Sequence, residues 1–517
     1  MTALARTVAG LRGWRRFLVA LLLGALAALA FAPLYLLPLL VVGLTGLFWL
    51  LEGAESRFAR FFVPWTFAWG HFIVALSWIG ESFMIDPGRF GWLLPAPVLG
   101  LPAVVALFPA ALIWLAWQFP LEGPTRVLGL ALAWTASEWL RGHLFTGFPW
   151  DLVGYVWVVS DRMMQFAALS GVYALSLITV AAAAAPALFG QHGWRDRTAQ
   201  LWVGGAYGLL VLIWIGGAIR LAGVTVADVP GVRFRLVQAD IPVQAELSAA
   251  DRLPIFERYL QLSDAPGAKR ITAWVWPESA LPYFIPYDAG VLPVLKRLVG
   301  AKGVLFTGAD RRTPPGARPI RVWNSLEVVD HAGIIATYDK HHLVPFGEYL
   351  PFRGLLSRIG LRAITATMMD FSFGTGDGIL TVPGLPPVRA LICYEAIFPN
   401  QVDLGGPRPR WLLNISNDAW FGRSFGPHQH FAMARVRAIE QGAPLIRAAN
   451  TGISAVVDPY GRVLHRLGLD RAGVIDSGLP QALPHRPPYG RFGDLLLLPW
   501  LFLAIVLIIF TERARRR

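Results

Sequence analysis

The feature that most limits this chain is a series of apolar runs that fills its first 220 residues, broken by Pro, Gly and charge. Crossing the hydrocarbon core of a bilayer takes about 20 apolar residues in a helix. Seven spans are predicted, at 14–31, 33–51, 60–80, 92–118, 125–141, 163–189 and 199–220. An eighth run, 495–510, follows Asp494 and precedes Arg513, Arg515, Arg516 and Arg517. The first run lacks a clear cleavage site and continues into a second, so it reads as a retained span and not as a signal peptide. Composition agrees. Of 517 residues, 55% are hydrophobic and only 15% charged, too apolar for an ordinary soluble protein of this size.

Orientation follows from basic residues in the short loops. Arg6, Arg12, Arg15, Arg16, Arg57, Arg60, Arg126, Arg195, Arg197 and the four C-terminal arginines lie on one side; only Arg89, Arg141 and Arg162 lie on the other. Both termini are therefore expected in the cytoplasm, and the segment 221–492 outside, in a periplasm or its equivalent. The net charge of +13 reads as this topology plus an Arg-rich surface. No basic-aromatic motif points to nucleic acid. A single cysteine excludes an intramolecular disulfide and a multi-Cys zinc site.

The segment 221–492 alternates β-branched runs with amphipathic stretches, which predicts an α/β layered domain. Strands are expected at 233–239, 271–276, 304–307, 325–329, 334–338, 390–392, 411–415, 445–449 and 454–457, and helices at 251–262, 292–299, 396–403 and 428–442. The loop 141–161 carries five aromatic residues. It reads either as an interfacial aromatic belt or as a wall of a lipid-facing vestibule.

Three stretches share one pattern, a β-run that stops at a reactive residue: Glu278 after Trp276-Pro277, Lys340 after Tyr338-Asp339, and Cys393 after Leu391-Ile392. If the strands share one sheet, a carboxylate, an ammonium and a thiol converge, which suits acyl transfer. Glu278 would be the general base. Lys340 would lower the thiol pKa and stabilise the oxyanion, with the backbone N–H of Tyr394 as second donor. Each residue alone has a blander reading: a buried Cys is usually an inert small hydrophobe, and a Lys beside Asp339 is usually a surface pair. His341 and His342 are adjacent on an extended segment and point to opposite sides, so no metal site is expected there.

These stretches resemble the carbon–nitrogen hydrolase (nitrilase) superfamily and, within it, the apolipoprotein N-acyltransferase family. The marks are Trp276-Pro277-Glu278-Ser279-Ala280, the 340–351 motif KHHLVPFGEYLP, Cys393-Tyr394-Glu395, the 414–422 stretch NISNDAWFG and Arg447-Ala448-Ala449-Asn450-Thr451-Gly452. The resemblance implies a multi-span α-helical membrane domain of about eight helices joined to an external nitrilase-like αββα sandwich. It implies boundaries of 1–220, 221–492 and 493–517, and a place in a bacterial inner membrane with the catalytic domain on the periplasmic side. It further implies a Glu278–Lys340–Cys393 triad, supporting roles for Glu348, Tyr394 and Glu395, a phospholipid acyl donor and a diacylglyceryl-lipoprotein acceptor. The chain departs from the family pattern at Asp240, in Gln238-Ala239-Asp240-Ile241-Pro242, and at Leu247, where a Trp is usual. No cofactor is expected, because an ester donor and a thiol nucleophile need none, and a monomer is expected. Two other readings stand beside this one: an anchored amidase that passes its acyl group to water, and a transporter or receptor with an inactive external domain. Glu138 is the nearest candidate for an ionisable residue in mid-span.

Overall fold

The computed structural model describes residues 1–243, 248–356, 358, 370–399 and 408–516. The chain forms two compact units, one of residues 1–224, 424–432 and 487–517, the other of 225–423 and 433–486.

The first unit is helical. Each apolar run of the sequence contributes helix: Gly13–Ala28, Leu37–Glu52, Arg57–Ala75, the broken segment between Pro87 and Ala116, Pro124–His143, Ala167–Ala184, Arg197–Leu221 and Leu498–Arg516. Among the described residues, four segments are long and apolar enough to cross a membrane by themselves: Pro87–Ala116, Ala167–His192, Arg197–Leu221 and Pro488–Arg516. The other four fall short for visible reasons: Arg57–Ala75 carries Arg57, Arg60, His71 and an internal Pro64. Gly13–Ala28 and Leu37–Glu52 have 16 residues each. Pro124–His143 holds Arg126, Glu138, Arg141 and His143.

Two of these, Glu138 and Arg141, have partners close by in the sequence. The Glu138 carboxylate, 2% exposed, accepts from the Trp134 indole at 3.0 Å and the Val153 amide at 2.8 Å. The Arg141 guanidinium donates to the carbonyls of Phe148 and Trp150. Glu138 thus pins the loop that follows its helix. In that loop Trp150 and Tyr155 are buried, while Phe145 is 86% exposed. The enclosed aromatics belong to the unit's interior, so a belt at the lipid interface does not describe them.

The second unit is built on two six-stranded sheets. Its strands are β1 (Asp228–Gln238), β2 (Ala273–Val275), β3 (Val304–Arg312), β4 (Val322–Val329), β5 (Ile334–Asp339), β6 (Ile379–Leu380), β7 (Val388–Ile392), β8 (Trp411–Ser416), β9 (Leu445–Ala449), β10 (Ser454–Val457), β11 (Val463–Leu467) and β12 (Gly473–Pro480). The first sheet has the order β12-β1-β2-β3-β4-β5 and the second β11-β10-β9-β8-β7-β6. In each, three central strands run parallel, β1-β2-β3 and β7-β8-β9, flanked by antiparallel neighbours.

The facing sides of the sheets share one core, with Phe234, Val275, Phe306 and Val328 from the first sheet and Ala390, Ile392, Leu413 and Ile446 from the second. Trp411, fully buried, lies against Phe234 at 5.0 Å and Phe306 at 5.7 Å between ring centroids. Such aromatic pairs add about 0.5–1.5 kcal/mol beyond simple burial. Helices Ala249–Ser263 and Val291–Val299 cross between the parallel strands of the first sheet and cover its outer face. The first of these begins with a capping box between Ser248 and Asp251.

The expected strands are all present, most with one to five added residues, except that 271–276 keeps only Ala273–Val275. Three further strands, β6, β11 and β12, were not expected. The expected helix 396–403 is instead a short 3-10 turn at Cys393–Ile397, and its end lies outside the described residues.

Candidate active site

The three reactive residues do leave the ends of strands, but of two sheets and not one. Glu278 follows β2 and Lys340 follows β5 in the first sheet; Cys393 follows β7 in the second. Convergence therefore depends on the packing of the sheets, and the shared core supplies it.

Glu278 is held by the turn after β2. The Trp276 amide donates to the Phe306 carbonyl, and the Gly308 amide to that of Pro277. Gly308 allows this closeness: a Cβ there would lie 2.4 Å from the Pro277 oxygen and 2.6 Å from the Glu278 Cα. The Trp276 indole is anchored on the Ser263 hydroxyl at 2.8 Å. Lys340 is placed by a last ladder bond, from its amide to the Asn324 carbonyl at 2.8 Å. Cys393 has φ +51°. This left-handed step costs a non-glycine residue about 1–2 kcal/mol. It ends β7 abruptly and starts the turn that carries Tyr394 and Glu395.

Lys340 is 1% exposed and sits between two carboxylates. Its Nζ donates to Glu348 Oε1 at 3.0 Å and Glu278 Oε1 at 3.3 Å. The same two oxygens accept from Asn324 Nδ2, at 2.8 and 2.7 Å. The outer oxygens are also engaged: Glu278 Oε2 accepts from the Asn417 amide, and Glu348 Oε2 from the Val344 amide. Burial draws the lysine pKa down, but the charges of Glu348 and Glu278 outweigh it, and the net shift is upward. Lys340 is therefore a fixed ammonium.

The Cys393 thiol is pushed up, first by burial and then by the Glu278 charge, with Lys340 pulling it back only in part. Lys340 acts on the thiol in the expected direction, but the two opposing effects prevail. The resting nucleophile is thus a thiol, and a base must take its proton during attack. Ser416 Oγ lies 3.4 Å from Sγ and donates to Asp418 at 2.6 Å, and Asp418 is paired with the buried Arg447.

Glu395, 3% exposed, joins the lysine segment to the cysteine turn. Its Oε1 accepts from the Tyr338 hydroxyl at 2.8 Å and the amides of His341 and His342 at 2.8 and 3.1 Å. Its Oε2 accepts from the Ile392 amide at 2.7 Å. The Tyr394 ring is buried and packs near His342 and Phe398. Phe346 of the 340–351 motif and Phe352, just after it, are 47% and 72% exposed, both with positive φ. Asp240, two residues past the end of β1, has φ +55°, and its amide donates to the Asn450 carbonyl; Leu247 lies outside the described residues.

Sequence reasoning missed Asn324 and the Asn417 amide. Asn417 lies in the 414–422 stretch, but what it contributes is a backbone amide, which side-chain identity does not mark. Asn324 is a single amide in Trp323-Asn324-Ser325 with no local mark.

Together these groups offer a thiol nucleophile, a carboxylate base and a fixed cation, the parts of acyl transfer through a covalent intermediate. Comparison with known proteins agrees. Residues 23–185 match the family described as "Apolipoprotein N-acyltransferase N-terminal domain" and residues 233–483 match "Carbon-nitrogen hydrolase". The apolipoprotein N-acyltransferase of Rhodopseudomonas palustris is 41% identical over 520 residues, which cover 97% of this chain and 96% of that one. That of Bradyrhizobium diazoefficiens is 41% identical, with 98% and 96% covered. That of Brucella melitensis is 39% identical, with 97% of each covered. With similarity running through both units at this level, the chain belongs to the apolipoprotein N-acyltransferase family.

Proposed function

We propose that this protein transfers a fatty acyl chain from a phospholipid, through a thioester on Cys393, to the α-amino group of a lipoprotein's diacylglyceryl-cysteine. The observation that carries the reading is the buried Glu278–Lys340–Glu348 cluster acting on the only thiol in the chain. In the first half, Glu278 takes the proton of Cys393 as Sγ attacks the ester carbonyl. The oxyanion is met by the Lys340 ammonium and the Tyr394 backbone N–H. Collapse breaks the ester C–O bond, and Glu278 returns the proton to the departing lysophospholipid oxygen. In the second half, the acceptor amine attacks the thioester and gives a proton to Glu278. The C–S bond breaks, and that proton goes to the leaving thiolate. Glu348 holds Lys340 in place, and Glu395 fixes the turn on which Cys393 and Tyr394 stand. The chemistry uses no cofactor.

On this reading the chain is a monomer of the bacterial inner membrane, with eight spans in 1–220 and 493–517 and the catalytic segment 221–492 in the periplasm. The helices at all eight apolar runs and the loop arginines support that arrangement. Membrane-borne donor and acceptor also account for a catalytic segment tied to the bilayer at both ends. Acyl transfer to water is not favoured, because the relatives matched over nearly the whole chain are named N-acyltransferases.

The test is the intact mass of the purified protein after incubation with phospholipid vesicles. A fatty-acyl increment is expected, absent in Cys393→Ala and removed by hydroxylamine. Adding a diacylglyceryl-cysteine peptide should discharge it onto the peptide amine. A Cys393→Ala protein that still acylated the peptide would end the thioester mechanism. Discharge to water alone would convert the transferase into a hydrolase.

A further inference from the structure

Asp310 of β3 stands directly opposite Asn324 of β4 in the antiparallel ladder. Directly opposed residues put their side chains on the same face, with Cβ atoms about 4.5–5.5 Å apart. Asn324 is 4% exposed, and its Nδ2 is the donor shared by Glu278 and Glu348. Its other end, Oδ1, is closed to solvent and has no hydrogen-bond partner among the described residues. The same holds for Asp310 Oδ1. Two enclosed acceptor oxygens on facing residues, both unsatisfied, are costly as charged or neutral acceptors. A single proton between them removes both defects.

We propose that Asp310 is a positioning residue that works as the neutral acid: its carboxyl O–H donates to Asn324 Oδ1 and so fixes the amide with its NH₂ toward Glu278 and Glu348. Without that donor the amide can turn over and set its oxygen against two carboxylates. The charged groups around Asp310 favour the acid form. Glu278, from the turn after β2, and Glu348, from the loop after β5, both face it as negative charges. Lys340 is committed to those two. Arg311 is paired with Asp339 of β5, and Arg312 lies over the rings of Phe284 and Tyr287. Glu327 of β4 takes the Thr337 hydroxyl. Burial, reinforced by Glu278 and then Glu348, pushes the Asp310 carboxyl up to about 7.

The inference rests on Glu278 being the base, so the readout is the rate of thioester formation on Cys393 in the full-length protein, followed by mass across neutral pH. Wild type should slow as pH rises through about 7, where Asp310 gives up its proton. Asp310→Asn supplies an N–H donor at every pH. It should keep the wild-type rate below that point and lose the alkaline decline. Asp310→Ala should be slower at all pH by about ten- to a hundredfold, the scale of a misplaced catalytic group. Glu327→Gln removes the other nearby carboxyl that titrates near 7 and should keep the decline. A wild type without the decline, a decline that persists in Asp310→Asn, or an Asn variant as slow as Ala each overturns the proposal; should the Ala variant fail to fold, the Asn profile decides alone. Failure of wild type to form any thioester would instead overturn the proposed reaction.

Discussion

Replacing Glu395 by Gln removes one hydrogen bond from the centre of the site while keeping the shape of the side chain. In the better orientation, the amide oxygen keeps the Tyr338 hydroxyl and the His341 and His342 amides. The new NH₂ then faces the Ile392 amide, 2.7 Å from the atom it replaces. Two donors meet, and one buried backbone N–H is left without an acceptor, at a cost of about 1–3 kcal/mol. The reverse orientation is worse, since it strands the two histidine amides. Glu395→Ala strands three backbone amides, at a cost of roughly 3–9 kcal/mol, which takes most of the roughly 5–15 kcal/mol that holds a domain folded. Glu395→Gln should therefore fold and Glu395→Ala should accumulate poorly. At roughly 2–4 °C per kcal/mol for a domain of this size, Glu395→Gln should lower the unfolding temperature of the detergent-solubilised protein by several degrees. Because the lost bond lies at Ile392, beside the nucleophile, thioester formation should slow as well. An unfolding temperature and rate both equal to wild type would refute the role given to Glu395 here.

Two further outcomes are expected. Gly308→Ala drives a methyl group into the backbone of Pro277 and Glu278, and should slow thioester formation at least about tenfold by displacing the base; a rate equal to wild type would show that the turn is not held by that contact. Glu327 is pushed up to about 7 by burial, with the Thr337 hydroxyl and Arg311 opposing only in part. A raised acid contributes stability that is full below the ordinary carboxylate pKa of about 4.3 and is lost as pH rises through its folded value. Glu327→Gln should remove that decline, so the gap between its unfolding temperature and that of wild type should shift in its favour from acid to alkaline pH; an unchanged gap would place the titration elsewhere.

The sequence was legible where local pattern carries the information. The runs that stop at Glu278, Lys340 and Cys393 are short, β-branched and interrupted by a polar residue, and each forms the end of a strand. The helical runs of the first unit were legible for the same reason. Their capacity to span was less so, because Arg126, Glu138 and Arg141 interrupt an otherwise apolar pattern and find partners only through folding. The assignment of β7 to a second sheet could not be read, since pairing of β7 with β8 and packing against Phe234 or Phe306 are contacts between distant residues. Strand β11, almost wholly exposed, gives no apolar alternation, and β12 is interrupted by glycine and ends in proline.

The site itself divides along the same line. Its charged members are rare residue types at strand ends and announce themselves. What turns them into a working arrangement is mostly backbone: the amides of Asn417, Val344, His341, His342 and Ile392 each donate to one of the three carboxylates, Glu278, Glu348 and Glu395. Every residue except proline carries such a donor, so no spelling of the sequence marks these five. Only the fold aims them, and it does so by an enclosed packing in which each carboxylate oxygen has a fixed partner before substrate arrives. A site built this way holds its base and cation in one geometry at no cost during the reaction. Its weak point is then a backbone shift of a few tenths of an ångström, and the carboxylate best placed to report one is Glu395, which ties the lysine segment of the first sheet to the cysteine turn of the second.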